Sequence, residues 1–151
     1  MHFDLVDFFP YQVRLFASRV GDVVAHVYTK EYGLSVSEWR ALSILGSADG
    51  LSANEVVARS SMDKVNVSRA VQSLRKRNLV KRDIDGADRR KSVLRLTQEG
   101  RDIYNKIVPL VIDADKQLTA TLSSDEKHQL TVLMQKVQQQ AKQILKDQNP
   151  T

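Results

Sequence analysis

Cysteine is absent from the 151 residues, which removes disulfides, thiolate metal sites and thiol-based redox sensing together. Histidine is nearly as scarce. His2, His26 and His128 lie too far apart for a standard metal spacing, and no HExxH-type segment occurs. Neither a metal site nor a cofactor is therefore expected. Every apolar run is shorter than the roughly 18 residues that a membrane span requires, so no membrane partner is expected. Asp4, Asp7 and Pro10 interrupt the first apolar stretch and no basic segment precedes it, so the expectation is a cytoplasmic protein without a secretory leader. A Gly-rich phosphate loop is missing, as is any cluster of nucleophile and base, and both absences argue against an enzyme.

What is present fits a globular chain. Apolar residues make up 42% and charged residues 27%, near globular averages, and the length suits one domain or one compact module with helical extensions. The net charge of +5 is unevenly spread. From Arg59 to Arg95 twelve Lys and Arg accompany four Asp, so this segment carries +8 and the remainder −3. A basic block in a near-neutral protein points to a polyanion partner.

The pattern is helical almost throughout. Val13, Phe16, Ala17, Val20, Val24 and Val27 recur at three- and four-residue steps, which predicts a long amphipathic helix from Pro10 to Tyr32 stopped by Gly33. Ser35 with Glu38 forms a capping box, with Leu34 and Trp39 placed as a hydrophobic staple. Ser52 with Glu55 opens a short helix, and Asp63 is the expected N-cap of a third, which buries Val67, Val71 and Leu74. Leu79 to Ile84 and Lys91 to Leu96 alternate as strands about an Asp85-Gly86 turn, giving a hairpin whose tip runs from Asp85 to Arg90. Thr97 caps a helix aligned on Tyr104, Ile107, Val108, Val111, Leu118 and Leu122, with a kink expected at Pro109. Ser123 with Glu126 opens the last helix, bearing Leu130, Leu133, Val137, Ala141 and Ile144, and the tail from about Asp147 is expected to fray.

Two short helices followed by a hairpin, the second helix polar and basic outside, make a mainly α, winged helix-turn-helix fold with long terminal helices. A helix fits the major groove of a duplex, where exposed polar residues reach base edges. Lys and Arg around it neutralise phosphates. Arginines on a hairpin tip suit a narrow minor groove. The module spans residues 35–97, flanked by apolar-striped helices in 1–34 and 98–151 that it is too small to cover. Those stripes suit a homodimer, or else pair with each other inside one chain.

The sequence resembles the multiple-antibiotic-resistance regulator (MarR) family. The likeness lies in Gly33-Leu34-Ser35-Val36-Ser37-Glu38-Trp39-Arg40, Leu51-Ser52-Ala53-Asn54-Glu55-Val56, and Met62-Asp63-Lys64-Val65-Asn66-Val67-Ser68-Arg69. It continues through Leu79-Val80-Lys81-Arg82 and Asp88-Arg89-Arg90-Lys91-Ser92-Val93-Leu94-Arg95-Leu96-Thr97, with Gly100 beyond. The resemblance implies a homodimer with interlocked terminal helices that binds double-stranded DNA at a pseudo-palindromic operator and regulates transcription, as a repressor. It also implies DNA contacts from Lys64, Asn66, Ser68, Arg69 and Ser73 on the recognition helix, and from Arg75 and Lys91. Asp88 and Arg90 would orient the wing, with Arg90 or Arg89 in the minor groove. Arg75, Lys76 and Arg77 serve equally well as a solvated helix end complementing the dipole, and Asp88 with Arg90 as a plain turn-stabilising pair. Family members bind small aromatic or other anionic effectors. Here Tyr11, Arg14, Arg19, Trp39 and Arg40 offer stacking and cations for one, although Trp39 also reads as a staple and Arg14 as a surface charge. The competing function is a winged-helix protein-interaction or dimerisation scaffold that does not bind DNA.

Overall fold

The structure, a computed structural model, describes residues 3–84 and 92–148. Helix α1 (Phe9–Tyr32) is followed by α2 (Val36–Gly46), α3 (Ala53–Ser60) and α4 (Lys64–Lys76). Strands β1 (Val80–Ile84) and β2 (Ser92–Leu96) pair antiparallel, with Val80 opposite Leu96 and Ile84 opposite Ser92. Helices α5 (Gln98–Leu118) and α6 (Ser124–Gln148) complete the chain. It divides into two compact units, Met1–Ala114 and Asp115–Thr151. The winged helix-turn-helix expected from the sequence is the fold observed, mainly helical with one small sheet.

Local capping sets the helix boundaries in the first unit. Gly33 takes a left-handed φ of 60° and donates to the Thr29 carbonyl, while Leu34 N donates to Tyr28 O, so α1 closes with two of its last carbonyls satisfied. Both expected capping boxes form, Ser35 with Glu38 and Ser52 with Glu55. Thr97 Oγ1 accepts from Gly100 N at 3.0 Å and donates to Asn78 O at 2.6 Å, tying the start of α5 to the turn before β1.

The core of this unit is fully buried Leu34, Leu42, Leu45, Val56, Val67, Leu74, Leu79, Leu94 and Ile107, drawn from every helix-turn-helix element, the wing strands and α5. Leu51 adds a bridge the strand pattern did not predict: it exchanges two backbone hydrogen bonds with Leu94 (3.1 and 2.7 Å), so the segment before α3 lies beside β2 as a third, one-residue strand. Trp39 packs against aromatic rings, stacking on Tyr28 at 5.4 Å and on Tyr104 at 6.2 Å.

The first half of the α1 stripe stays exposed at Val13, Phe16 and Ala17, and Tyr28 is the buried residue of this helix. One expectation is corrected. Helix α5 ends at Leu118 and does not run to Leu122, because Thr119 to Leu122 form a turn ahead of the Ser123 cap. Helix α6 runs to Gln148, the last described residue, with Gln143 Nε2 bonded to the Asp147 carboxylate at 2.9 Å, and most of the tail expected to fray lies outside the described residues. No residue of α6 is buried. Among the described residues no helix is long and apolar enough to cross a membrane, and no three acidic or histidine side chains converge as a metal site.

Candidate nucleic-acid interface

Helix α4 starts at Asp63, whose carboxylate accepts from Asn66 N at 2.8 Å and from Asn66 Nδ2 at 2.6 Å. Those bonds hold the Asp63 carboxyl below its usual range, and its charge also suits the positive helix end. Val67, Ala70, Val71 and Leu74 are the buried residues of the helix. At about 100° per residue they share one face. Val65, Arg69, Gln72 and Lys76 then lie opposite, and all four are exposed.

On each side of that outer face lies an open cleft. Toward α3 and β1, a cleft of about 340 Å³ is lined by Asn54, Lys64, Ser68, Gln72, Arg75 and Arg82. Toward α2, one of about 350 Å³ is lined by Ser35, Ser37, Glu38, Asn66, Arg69 and Ser73. Among the described residues no ion pair engages Lys64, Arg69, Arg75, Lys76 or Arg82. Five unneutralised cations around one helix repel one another, and an external polyanion relieves that repulsion.

The residues expected to touch DNA separate into two groups. Lys64, Ser68, Arg69 and Arg75 are exposed on the outer face or its α3 flank. Asn66 and Ser73 occupy the α2 flank and are already engaged: Asn66 in the cap, and Ser73 by donating its hydroxyl proton to Glu38 Oε1 at 2.6 Å. Glu38 is buried at 8% exposure, and its Oε2 accepts from Ser35 N at 2.7 Å. Burial alone would raise its pKa, but the bonds from Ser73 and Ser35 and the charge of Arg77 outweigh it and hold the carboxyl low. The capping acid of α2 is thus also the anchor of α4.

The run Arg75, Lys76 and Arg77 is split as well. Arg77 donates to Gly33 O at 3.0 Å and Tyr32 O at 2.8 Å, so it straps α4 to the end of α1. In the wing strands Lys81 pairs with Asp83 at 2.9 Å and Arg95 pairs with Asp49, leaving Arg82 facing the cleft. Asp88, Arg89, Arg90 and Lys91 lie outside the described residues. Val65, Gln72 and Lys76 on the outer face of α4, and Asn54 and Arg82 beside the cleft, were not among the residues expected to touch DNA. The spacing of Val67, Val71 and Leu74 was the signal that places the first three on the outer face.

A separate cleft of about 550 Å³ opens between α1 and α2, lined by Ser18, Asp22, Tyr28, Trp39, Arg40 and Ser43 among others. Burial raises the Tyr28 pKa, an effect partly opposed by the positive charge of Arg40. Of the residues expected to hold an effector, Trp39 and Arg40 line this cleft. Tyr11 is half-buried and Arg14 and Arg19 are exposed elsewhere on α1, and none of the three lines it. Ser18 and Asp22, on the facing side of α1, were not anticipated.

Residues 32–91 match the sequence model described as the MarR family. The homoprotocatechuate degradative operon repressor of Escherichia coli is 24% identical over 106 residues, 70% of this chain and 72% of that one. Among solved structures, a MarR/EmrR family transcriptional regulator from Acinetobacter sp. ADP1 superposes with a TM-score of 0.84 at 26% identity, covering 93% of this chain and 99% of the other. BpsR of Bordetella bronchiseptica, whose DNA binding is regulated by 6-hydroxynicotinic acid, superposes at 0.80 with 21% identity over 91% of this chain and 98% of its own.

Proposed function

We propose that the chain is a transcription regulator of the MarR family, which its matches to that family support, and that it works in the cytoplasm as a homodimeric repressor on a pseudo-palindromic DNA operator. A small aromatic or anionic ligand would relieve the repression. The observation that carries the DNA reading is the outer face of α4, where Lys64, Arg69, Arg75 and Lys76 stand exposed and unpaired among the described residues, with Arg82 across the flanking cleft. A protruding helix of this kind enters a major groove, with its N-terminal turns on base edges and its cations on phosphates. Residues 35–97 form the DNA-binding module in this reading. Asp88, Arg89, Arg90 and Lys91 would carry the wing into the adjoining minor groove.

Support for the dimer comes from apolar side chains left exposed in segments 1–34 and 98–151. Phe8, Phe9, Val13, Phe16 and Val23 in the first, and Leu110, Ile112, Leu133, Val137, Ile144 and Leu145 in the second, are all at least 40% exposed. An apolar surface of that extent in an isolated chain calls for a partner, and a second copy supplies two half-site readers at fixed spacing.

The α1–α2 cleft is the proposed effector site, with Trp39 as a stacking surface and Arg40 as the cation. The regulation of BpsR by an aromatic carboxylic acid supports that chemistry. Coupling would run through α2, since Trp39 and Arg40 line the cleft while the adjacent Glu38 holds Ser73 of α4. A ligand that tilts α2 then moves the recognition helix. The test is selection of bound duplexes from random DNA by the purified full-length protein, repeated with aromatic acids present. The expected result is a two-fold-symmetric consensus that a ligand weakens, and recovery of no consensus refutes the DNA reading.

A further inference from the structure

Helix α4 carries one side chain that neither folding nor electrostatics accounts for. Val65 is 57% exposed in the first turn, at the point of the helix farthest from its buried face. Burying nothing there, a β-branched residue is a poorer helix former than the Lys, Gln or Ala that would serve the fold equally well. Its neighbours Lys64, Asn66, Ser68 and Arg69 are all exposed and polar, so Val65 belongs to no apolar patch of the size a protein partner needs.

An isolated aliphatic group ringed by hydrogen-bonding and cationic side chains fits a surface that is itself polar and anionic apart from a single methyl. The major groove is such a surface: each base pair presents donors and acceptors, and the thymine C5 methyl is its one apolar group. The first turns of a recognition helix are the part that meets base edges. We propose that Val65 is a specificity-determining residue that packs against a thymine methyl in each half-site. This rests on the DNA-binding reading given above.

The test uses the full-length protein and its selected operator. Each thymine is replaced in turn by deoxyuridine, which removes the methyl and leaves every hydrogen-bonding group and charge in place. For the wild-type protein, one substitution per half-site is expected to weaken binding about fourfold, the effect of leaving roughly one methyl unburied. Val65→Ala should bind the thymine operator several-fold more weakly than wild type and be indifferent to deoxyuridine at that position, while keeping wild-type sensitivity at all others. Val65→Thr, which retains one methyl, should fall between. Since Val65 is exposed and Ala and Thr lose no buried contact there, neither variant is expected to fall appreciably below the wild-type unfolding midpoint. If the wild type is insensitive to deoxyuridine throughout, or Val65→Ala shows the same profile as wild type, the assignment is overturned while DNA binding stands. If no operator can be selected, the DNA reading fails and takes this assignment with it.

Discussion

Replacing Gly100 by alanine tests how the wing is fixed to the rest of the module. Gly100 is buried in the first turn of α5, and a Cβ there would collide with the Leu79 carbonyl oxygen and lie 2.8 Å from the Leu79 carbonyl carbon. The obstacle is backbone, so no rotamer change relieves it. Leu79 is itself fully buried, and its carbonyl accepts from Thr97 N at 3.1 Å. Overpacking of this kind costs about 1–3 kcal/mol, with about 1 kcal/mol more if the Thr97–Leu79 bond is lost. Alanine's better helix propensity offsets about 1 kcal/mol. The expected net is a loss of about 1–3 kcal/mol, read as a urea midpoint about 0.5–2 M lower at unchanged slope. Gly21→Ala in α1 is the internal control. Nothing lies within 4 Å of a Cβ there, so the same exchange should raise stability by about 0.5–1 kcal/mol. If Gly100→Ala is as stable as wild type or more so, α5 does not press on the strand entry as described, and the wing's anchorage must be sought elsewhere.

Arg69→Ala, at the centre of the exposed α4 face, should weaken binding to the selected operator by about 1–3 kcal/mol and relax sequence preference; unchanged titration curves would remove Arg69 from the interface. Ser73→Ala deletes the bond to Glu38, a carboxylate whose pKa is held low in the folded protein. A depressed carboxyl stabilises the fold above its unfolded pKa of about 4.3 and loses that contribution as pH falls through the lower folded value. The stability gap between wild type and Ser73→Ala should therefore be about 1.5–3 kcal/mol at pH 7 and narrow below about pH 4; a gap constant down to pH 3 would contradict the ionised bond. Light scattering of the full chain should give twice the 17.1 kDa chain mass, and a monomer at micromolar concentration would refute the dimer.

Features legible in the sequence are those whose partners sit close along it. Ser35 with Glu38, Ser52 with Glu55, Asp63 with Asn66 and Ser123 with Glu126 each close over three residues, so residue type and spacing locate the helix starts. Bonds that set the angles between elements span far more chain. Ser73 reaches Glu38 across 35 residues, Arg77 reaches Gly33 across 44, and Arg101 Nη1 reaches Gly46 O across 55. In the bare sequence each of these looks like one more polar residue on a helix. That is why the part Ser73 and Arg77 play in holding α4 is not legible there.

The apolar stripes expose a different gap, between what periodicity encodes and what covers a face. Val13 and Phe16 in α1 recur at the same helical step as Val67, Val71 and Leu74 in α4, yet the first two are exposed and the last three buried. A hydrophobic period says that a face prefers to leave water, without saying whether the cover comes from the same chain. The distinction emerges only when the folded chain has used up its own apolar surface. Residues 35–97 come close to doing so: among their described residues only Val36 and Val65 remain as exposed large hydrophobics. Helix α6, by contrast, buries nothing. The homodimer proposed above would supply that cover from a second copy, and light scattering on the full chain decides whether it does.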